Sequence, residues 1–152
     1  MDHPQNPRMQ ELLRLQRERQ IRLDAVKAKT DLRADMPLFD VRYRFAQDAE
    51  RDRIQAALAA LPRDDAGAFD PAMLSDVQPV DPAAHHGLAW LVFLDADDAH
   101  RGIFLCGAAD DIARDYKNWT DISKRLLLLL GDWKHILILD GADSAVQALL
   151  PD

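Results

Sequence analysis

The residues best placed to do chemistry in this chain are carboxylates at the ends of apolar runs. Asp95 and Asp97 stand two positions apart directly after Leu88-Ala-Trp-Leu-Val-Phe-Leu94. Residues two apart share one face of an extended segment. A strand that delivers Asp-x-Asp to its exit can hold a divalent cation, because hard cations such as magnesium want several carboxylate oxygens at close range. His135-Ile-Leu-Ile-Leu139 repeats the pattern and ends in Asp140, so Asp95, Asp97 and Asp140 are the candidate metal ligands. Aspartate also favours turns, and on that account the same residues are solvated hairpin tips.

The segment Phe93-Leu-Asp-Ala-Asp-Asp98 resembles the first motif of haloacid-dehalogenase-type phosphotransferases. It also resembles the metal-binding Asp-x-Asp of nucleotide-sugar glycosyltransferases. The first resemblance implies a downstream Thr or Ser strand end, a lysine and a further acidic pair, whereas Gly107 stands where the hydroxyl is wanted. The second implies a nucleotide-binding half ahead of the motif, and no Gly-rich phosphate loop occurs there. Together they define an alternative function, a metal-dependent phosphoryl or glycosyl transferase.

Other catalytic sets are absent from the sequence. His85-His86 lies in a Pro/Ala segment, where adjacent residues do not readily ligate one ion. One cysteine, Cys106, and no His-x-x-x-His pair argue against a structural zinc site. Cys106 falls inside an apolar run, as a small buried hydrophobe does. Neither Ser75, Ser123 nor Ser144 sits in a Gly-x-Ser-x-Gly elbow. The sequence therefore implies no cofactor.

A different kind of site is suggested by Asp110 to Leu130, which reads as an amphipathic helix with Asp110 and Asp111 at its start and Lys124 and Arg125 near its end, complementing the helix dipole. Tyr116 and Trp119 are three apart on it. Aromatics at that spacing are core residues in most helices, but Tyr and Trp are also enriched at binding hot spots. With Asp110, Asp111, Asp115 and Asp121 they form a candidate surface for a basic protein partner.

The elements that must position these residues follow from pattern. Residues 1–7 hold two prolines and are expected to fray. Arg8 to Ala34 reads as one long helix without Gly or Pro, its apolar stripe broken at Gln16-Arg-Glu-Arg-Gln20. Such a helix packs only at its ends or meets another chain. Arg14, Arg17, Arg19, Arg22, Lys27 and Lys29 make it the one positive tract, interleaved with Glu11, Glu18, Asp24 and Asp31. Pro37 ends it. Leu38–Phe45 alternates as a half-buried strand, and Asp48 caps a helix over 49–61. Residues 62–87 carry four prolines and form the loosest region, with a short helix at Pro71–Leu74. Leu88–Leu94 and Gly102–Cys106 pair as a hairpin around the polar turn 95–101. Gly102–Cys106, the helix 110–130 and His135–Leu139 read as a strand–helix–strand unit with a parallel strand pair, and Asp143 caps a final helix over 144–150.

These elements predict an α/β fold, with α+β as the alternative: a small mixed sheet of about four strands covered by helices. A helical arm over 1–36 precedes one compact domain over 37–152. A net charge of −7 disfavours a nucleic-acid partner. The longest apolar runs fall far short of the ~18 residues a membrane span needs, and the N-terminus lacks a secretory pattern, so a cytoplasmic location without membrane attachment is expected. The functional expectation is a non-catalytic, acidic protein-binding module, an inhibitor or immunity-type protein that neutralises a toxin or enzyme. An adaptor or chaperone, or self-assembly through residues 8–34, is the further alternative.

Overall fold

A computed structural model describes residues 6–141 and 144–151. Its first element is the expected long helix, α1 (Pro7–Asp35). Proline at the first helical position and the Asn6 side chain, which accepts from the Arg8 amide at 2.9 Å, start it. Residues 1–5, which carry most of the expected fraying, lie outside the described residues. A single turn, α2 (Phe39–Arg42), leads into the short strand β1 (Tyr43–Phe45). The expected strand over 38–45 is thus mostly helical turn. Leu38 takes a left-handed conformation (φ 58°) that breaks the extended path.

The helix α3 (Asp48–Ala59) begins in a reciprocal capping box between Gln47 and Glu50, one residue earlier than the expected cap at Asp48. The loose region holds single turns at Pro71–Met73 and Pro82–Ala84 and one unexpected strand, β2 (Gln78–Val80). Pro79 suits its place at the sheet edge. Strands β3 (Leu88–Phe93) and β4 (Phe104–Ala108) form the expected antiparallel hairpin.

The expected helix over 110–130 ends early. Two short helices, α4 (Ala109–Arg114) and α5 (Tyr116–Trp119), are followed by a strand, β5 (Leu126–Leu130). The five leucines lie between β3 and the next strand, β6 (His135–Gly141), with Leu126 to Leu129 fully buried. A five-residue apolar run covered on both faces is what a central strand requires, and burial outweighs leucine's helix propensity. Gly131-Asp-Trp-Lys134 is therefore a hairpin turn and not a helix stop; Asp132 accepts from the amides of Lys134 and His135. The expected final helix is also a strand, β7 (Ser144–Leu149), paired with β6 and β2. Asp143, its expected cap, lies outside the described residues.

Among the described residues the sheet has seven strands in the order β1-β4-β3-β5-β6-β7-β2, and every neighbouring pair is antiparallel. This replaces the expected four-stranded mixed sheet with a parallel pair, while the mixture of helix and sheet stands. A strand–helix–strand unit does exist: β4 and β5 run in the same direction and α4–α5 connects them. Strand β3 lies between them, so they never pair with each other.

Side-chain alternation makes two cores. On one face Leu91, Leu105, Leu128 and Leu137 pack under Ala28 and Leu32 of α1, Phe39, and Ile112 and Trp119 of the α4–α5 segment. On the other, Trp90, Phe104, Leu127, Leu129 and Ile136 pack under Ile54 of α3 and Leu61 and Leu74 of the following loop. Only the C-terminal part of α1 joins the core: none of its residues before Ala28 is buried.

Candidate functional site

The expected metal ligands are held in local structural roles. Asp95 is gripped by Arg125, which donates from Nη2 at 3.0 Å, Nε at 3.3 Å and its backbone amide at 3.1 Å. Hydrogen bonding from Arg125 holds the Asp95 carboxyl below the usual carboxylate range. The buried Ser123 hydroxyl accepts from the Asp95 amide and donates to the Arg125 carbonyl, locking the exit of β3 to the entrance of β5. Asp97 accepts from the backbone amide and ring of His100 at 3.0 and 2.7 Å, and the ring contact lowers its pKa. Asp140 is exposed at the far end of β6. Strands β3 and β6 do end at one sheet edge, but Arg125 enters β5 between them. Among the described residues no three His, Cys, Asp or Glu side chains converge as a metal site.

The expected partner-binding residues divide sharply. Asp110 bonds to His86 at 2.9 Å, which lowers its pKa. Asp111 pairs with Arg114 of its own helix at 3.2 Å. Asp115 accepts from the Tyr43 hydroxyl and lies 3.6 Å from Arg42. Burial, then Asp115, pushes the Tyr43 phenol well above its usual range. Tyr116 donates to the Lys124 carbonyl at 3.0 Å. Trp119 is fully buried: its indole N–H donates to the Ile112 carbonyl at 3.0 Å and its ring meets Tyr43 edge-on at 5.3 Å. A residue so enclosed has no face left for a partner. Asp121 is exposed and opens onto a cleft.

That cleft is the candidate site. It measures about 460 Å³ and lies between α1 and the loop after α5. Asp24, Asp31 and Asp35 project from α1 on one side, Asp121 from the loop on the other, and Leu32, Met36 and Ile122 give it apolar walls. Lys27 is the one lysine or arginine in the lining, and His100 contributes a ring already bonded to Asp97. Positions 24, 31 and 35 are spaced by seven and four, so they share one helix face. That spacing is the signal by which these residues are recognisable in the sequence. Read singly, Asp24 and Asp31 look like dilution of a basic tract. Ala28, Leu32 and Met36 bury the adjacent face and fix the carboxylates over the cleft. Converging carboxylates against apolar walls suit a cationic side chain with a methylene stem, such as arginine or lysine.

Elsewhere Cys106 is buried in β4, and burial raises its thiol pKa, which disfavours the thiolate. No helix among the described residues is long and apolar enough to cross a membrane. Comparison of the chain with protein-family models and with curated proteins finds no match.

Proposed function

We propose that this chain is a non-catalytic protein-binding module, acting as an inhibitor or immunity-type protein by direct docking, and that the cleft beside α1 receives a basic segment of its partner. The observation that carries this reading is the convergence of Asp24, Asp31, Asp35 and Asp121 on one apolar-walled groove. Four carboxylates attract a basic partner over a distance set by ionic strength, raising its association rate, while Leu32, Met36 and Ile122 supply contact that salt does not screen.

The test is capture from the cytosol of the encoding organism at low salt, comparing the native chain with an Asp24→Asn, Asp31→Asn, Asp35→Asn variant. A basic protein recovered stoichiometrically by the native chain and lost by the variant supports the reading. A native chain that retains no stoichiometric partner, or a variant that retains the same one, overturns it.

Self-assembly through the first helix is the second reading, and a separate observation favours it. Met9, Leu12, Leu15 and Leu23 are between 46% and 53% exposed on α1. Helical spacing gathers them on the side away from the body. Molar mass in solution decides it: a multimer that becomes a monomer in Leu12→Glu, Leu23→Glu supports assembly, and a monomeric native chain at high concentration rules it out.

A further inference from the structure

The opposite flank of α1 borders a second cleft of the reverse charge, independent of the reading above. It measures about 930 Å³ and lies between α1, α3 and the segment 98–104. Small-molecule sites commonly span about 300–1,000 Å³, so the space admits a sizeable ligand. Arg22, Lys29, Arg51, Arg63 and Arg101 surround it, with Asp98 the one carboxylate in the lining among the described residues. In a chain of net charge −7 such a gathering of cations is against the average. Among the described residues only one of the five, Arg101, has a carboxylate within ion-pair distance, Asp98 at 3.2 Å. These side chains come from four separate segments, and nothing in the sequence order brings them together.

The cleft between them is apolar. Ile103 and Phe104 are buried at its edge, Leu58 of α3 lines one wall, and Ile21 and Val26 of α1 line the other. The ligand that fits has an extended hydrocarbon part and an anionic head. Phe104 is the one aromatic ring in the lining and is buried, so a nucleobase has no exposed ring to stack on. The sequence also lacks a phosphate-cradling loop. We infer that this cleft binds a free long-chain carboxylate, its hydrocarbon laid against Ile21, Leu58 and Val26 and its head group held among the arginines. Guanidinium groups suit that head because they engage a carboxylate through two parallel hydrogen bonds. Val26 is 63% exposed, and the chain would cover it.

Dodecanoate, kept below its aggregation concentration, is the probe. It is titrated into the full chain by calorimetry and followed by amide NMR, with hexanoate and dodecyltrimethylammonium as controls. The expected result is saturable binding of dodecanoate that shifts the amides of Gly102, Ile103 and Phe104. Hexanoate should bind at least tenfold more weakly, and the cationic amphiphile should not compete. Arg51→Gln with Arg101→Gln should weaken dodecanoate tenfold or more while the variant keeps the native amide spectrum. Should that variant misfold, Val26→Asp on the exposed face of α1 should weaken binding similarly. Absence of saturable binding, equal binding of the cationic amphiphile, or shifts confined to another surface would each overturn the inference.

Discussion

The indole N–H of Trp90 donates to the Glu50 carboxylate at 2.8 Å, tying the first turn of α3 to the sheet. The same carboxylate accepts two bonds from Arg44 of β1, at 2.6 and 2.9 Å, and one from the Gln47 amide at 2.9 Å. Arg44, Cys106 and Trp90 are register neighbours across β1, β4 and β3. Glu50 therefore clamps two strands across the one between them. Trp133 stacks on Trp90 with ring centroids 4.6 Å apart, and Arg53 covers Trp133 at 4.0 Å. The β5–β6 turn is thus joined to the same cluster.

Hydrogen bonding from Arg44 depresses the Glu50 pKa to about 2, from an ordinary value of 4.5. A carboxylate with a lowered folded-state pKa contributes stability that is present above pH 4.5 and lost as pH falls towards 2. Denaturant unfolding measured across that window should show native stability falling with acid more steeply than in Glu50→Gln. Glu50→Ala should lose about 1–3 kcal/mol at neutral pH, as expected when hydrogen bonds to a charged group are deleted and their donors left unpaired. Identical pH slopes for native chain and Glu50→Gln would remove the clamp from the account.

Gly107 offers a second test. A Cβ built there would lie 2.5 Å from Cδ1 and 2.9 Å from Cε1 of Tyr43, and 3.0 Å from the Arg42 carbonyl. The Tyr43 ring cannot swing away easily, because it packs on Trp119 and its hydroxyl is held by Asp115. Gly107→Ala should destabilise by about 1–3 kcal/mol through overpacking. Restoring space with Tyr43→Ala in the same chain should recover little, since it also removes the ring's packing and the Asp115 bond. A Gly107→Ala melting temperature equal to the native one would contradict the close approach.

The Asp95–Arg125 pair governs what metal can do. A cation bound by Asp95 and Asp97 must first displace a guanidinium from one carboxylate and a histidine from the other. Millimolar magnesium or manganese should therefore leave the melting temperature unchanged, because a ligand held only by the folded state raises stability in proportion to its binding. A saturable rise that disappears in Asp95→Asn would revive the transferase reading.

The long helix, the helix at 48–59 and the 88–108 hairpin were legible because each carried two agreeing signals, a period and a boundary residue. The leucine run carried a boundary signal, Gly131-Asp132, that fits a hairpin as well as a helix stop. A short apolar run has no period of its own, so length was the remaining guide: five residues suit a strand. Taken as the last turn of a 21-residue helix, the run implies a parallel strand pair, which the all-antiparallel order of the sheet replaces. The acidic cleft was half legible. Asp121 stands out in the sequence with five neighbours that the fold uses for itself, while Asp24 and Asp31 read as charge balance in a basic tract and Asp35 carries no signal of its own. Which face of α1 meets the body depends on Ala28, Leu32 and Met36, and small or solitary apolar residues within a charged helix are weak markers of a buried face.

That same division of α1 sets its local stability. No residue from Pro7 to Lys27 is buried, and this stretch is held by pairs such as Arg14 with Glu11 and Glu18, all about half exposed. Exposed i,i+4 pairs contribute only about 0.3–0.5 kcal/mol each. In proteins most helical stability comes from tertiary packing of a buried face, which this stretch lacks. Amide hydrogens of the first half of α1 should therefore exchange much faster than those of Leu127, Leu128 and Ile138 in the sheet, which should open only with global unfolding. Brief trypsin treatment should cut first at Arg14, Arg17, Arg19 or Arg22 and leave the sheet intact. Protection of the first half of α1 that grows with protein concentration would mean its leucines are already covered by another copy, and would favour assembly over a free arm.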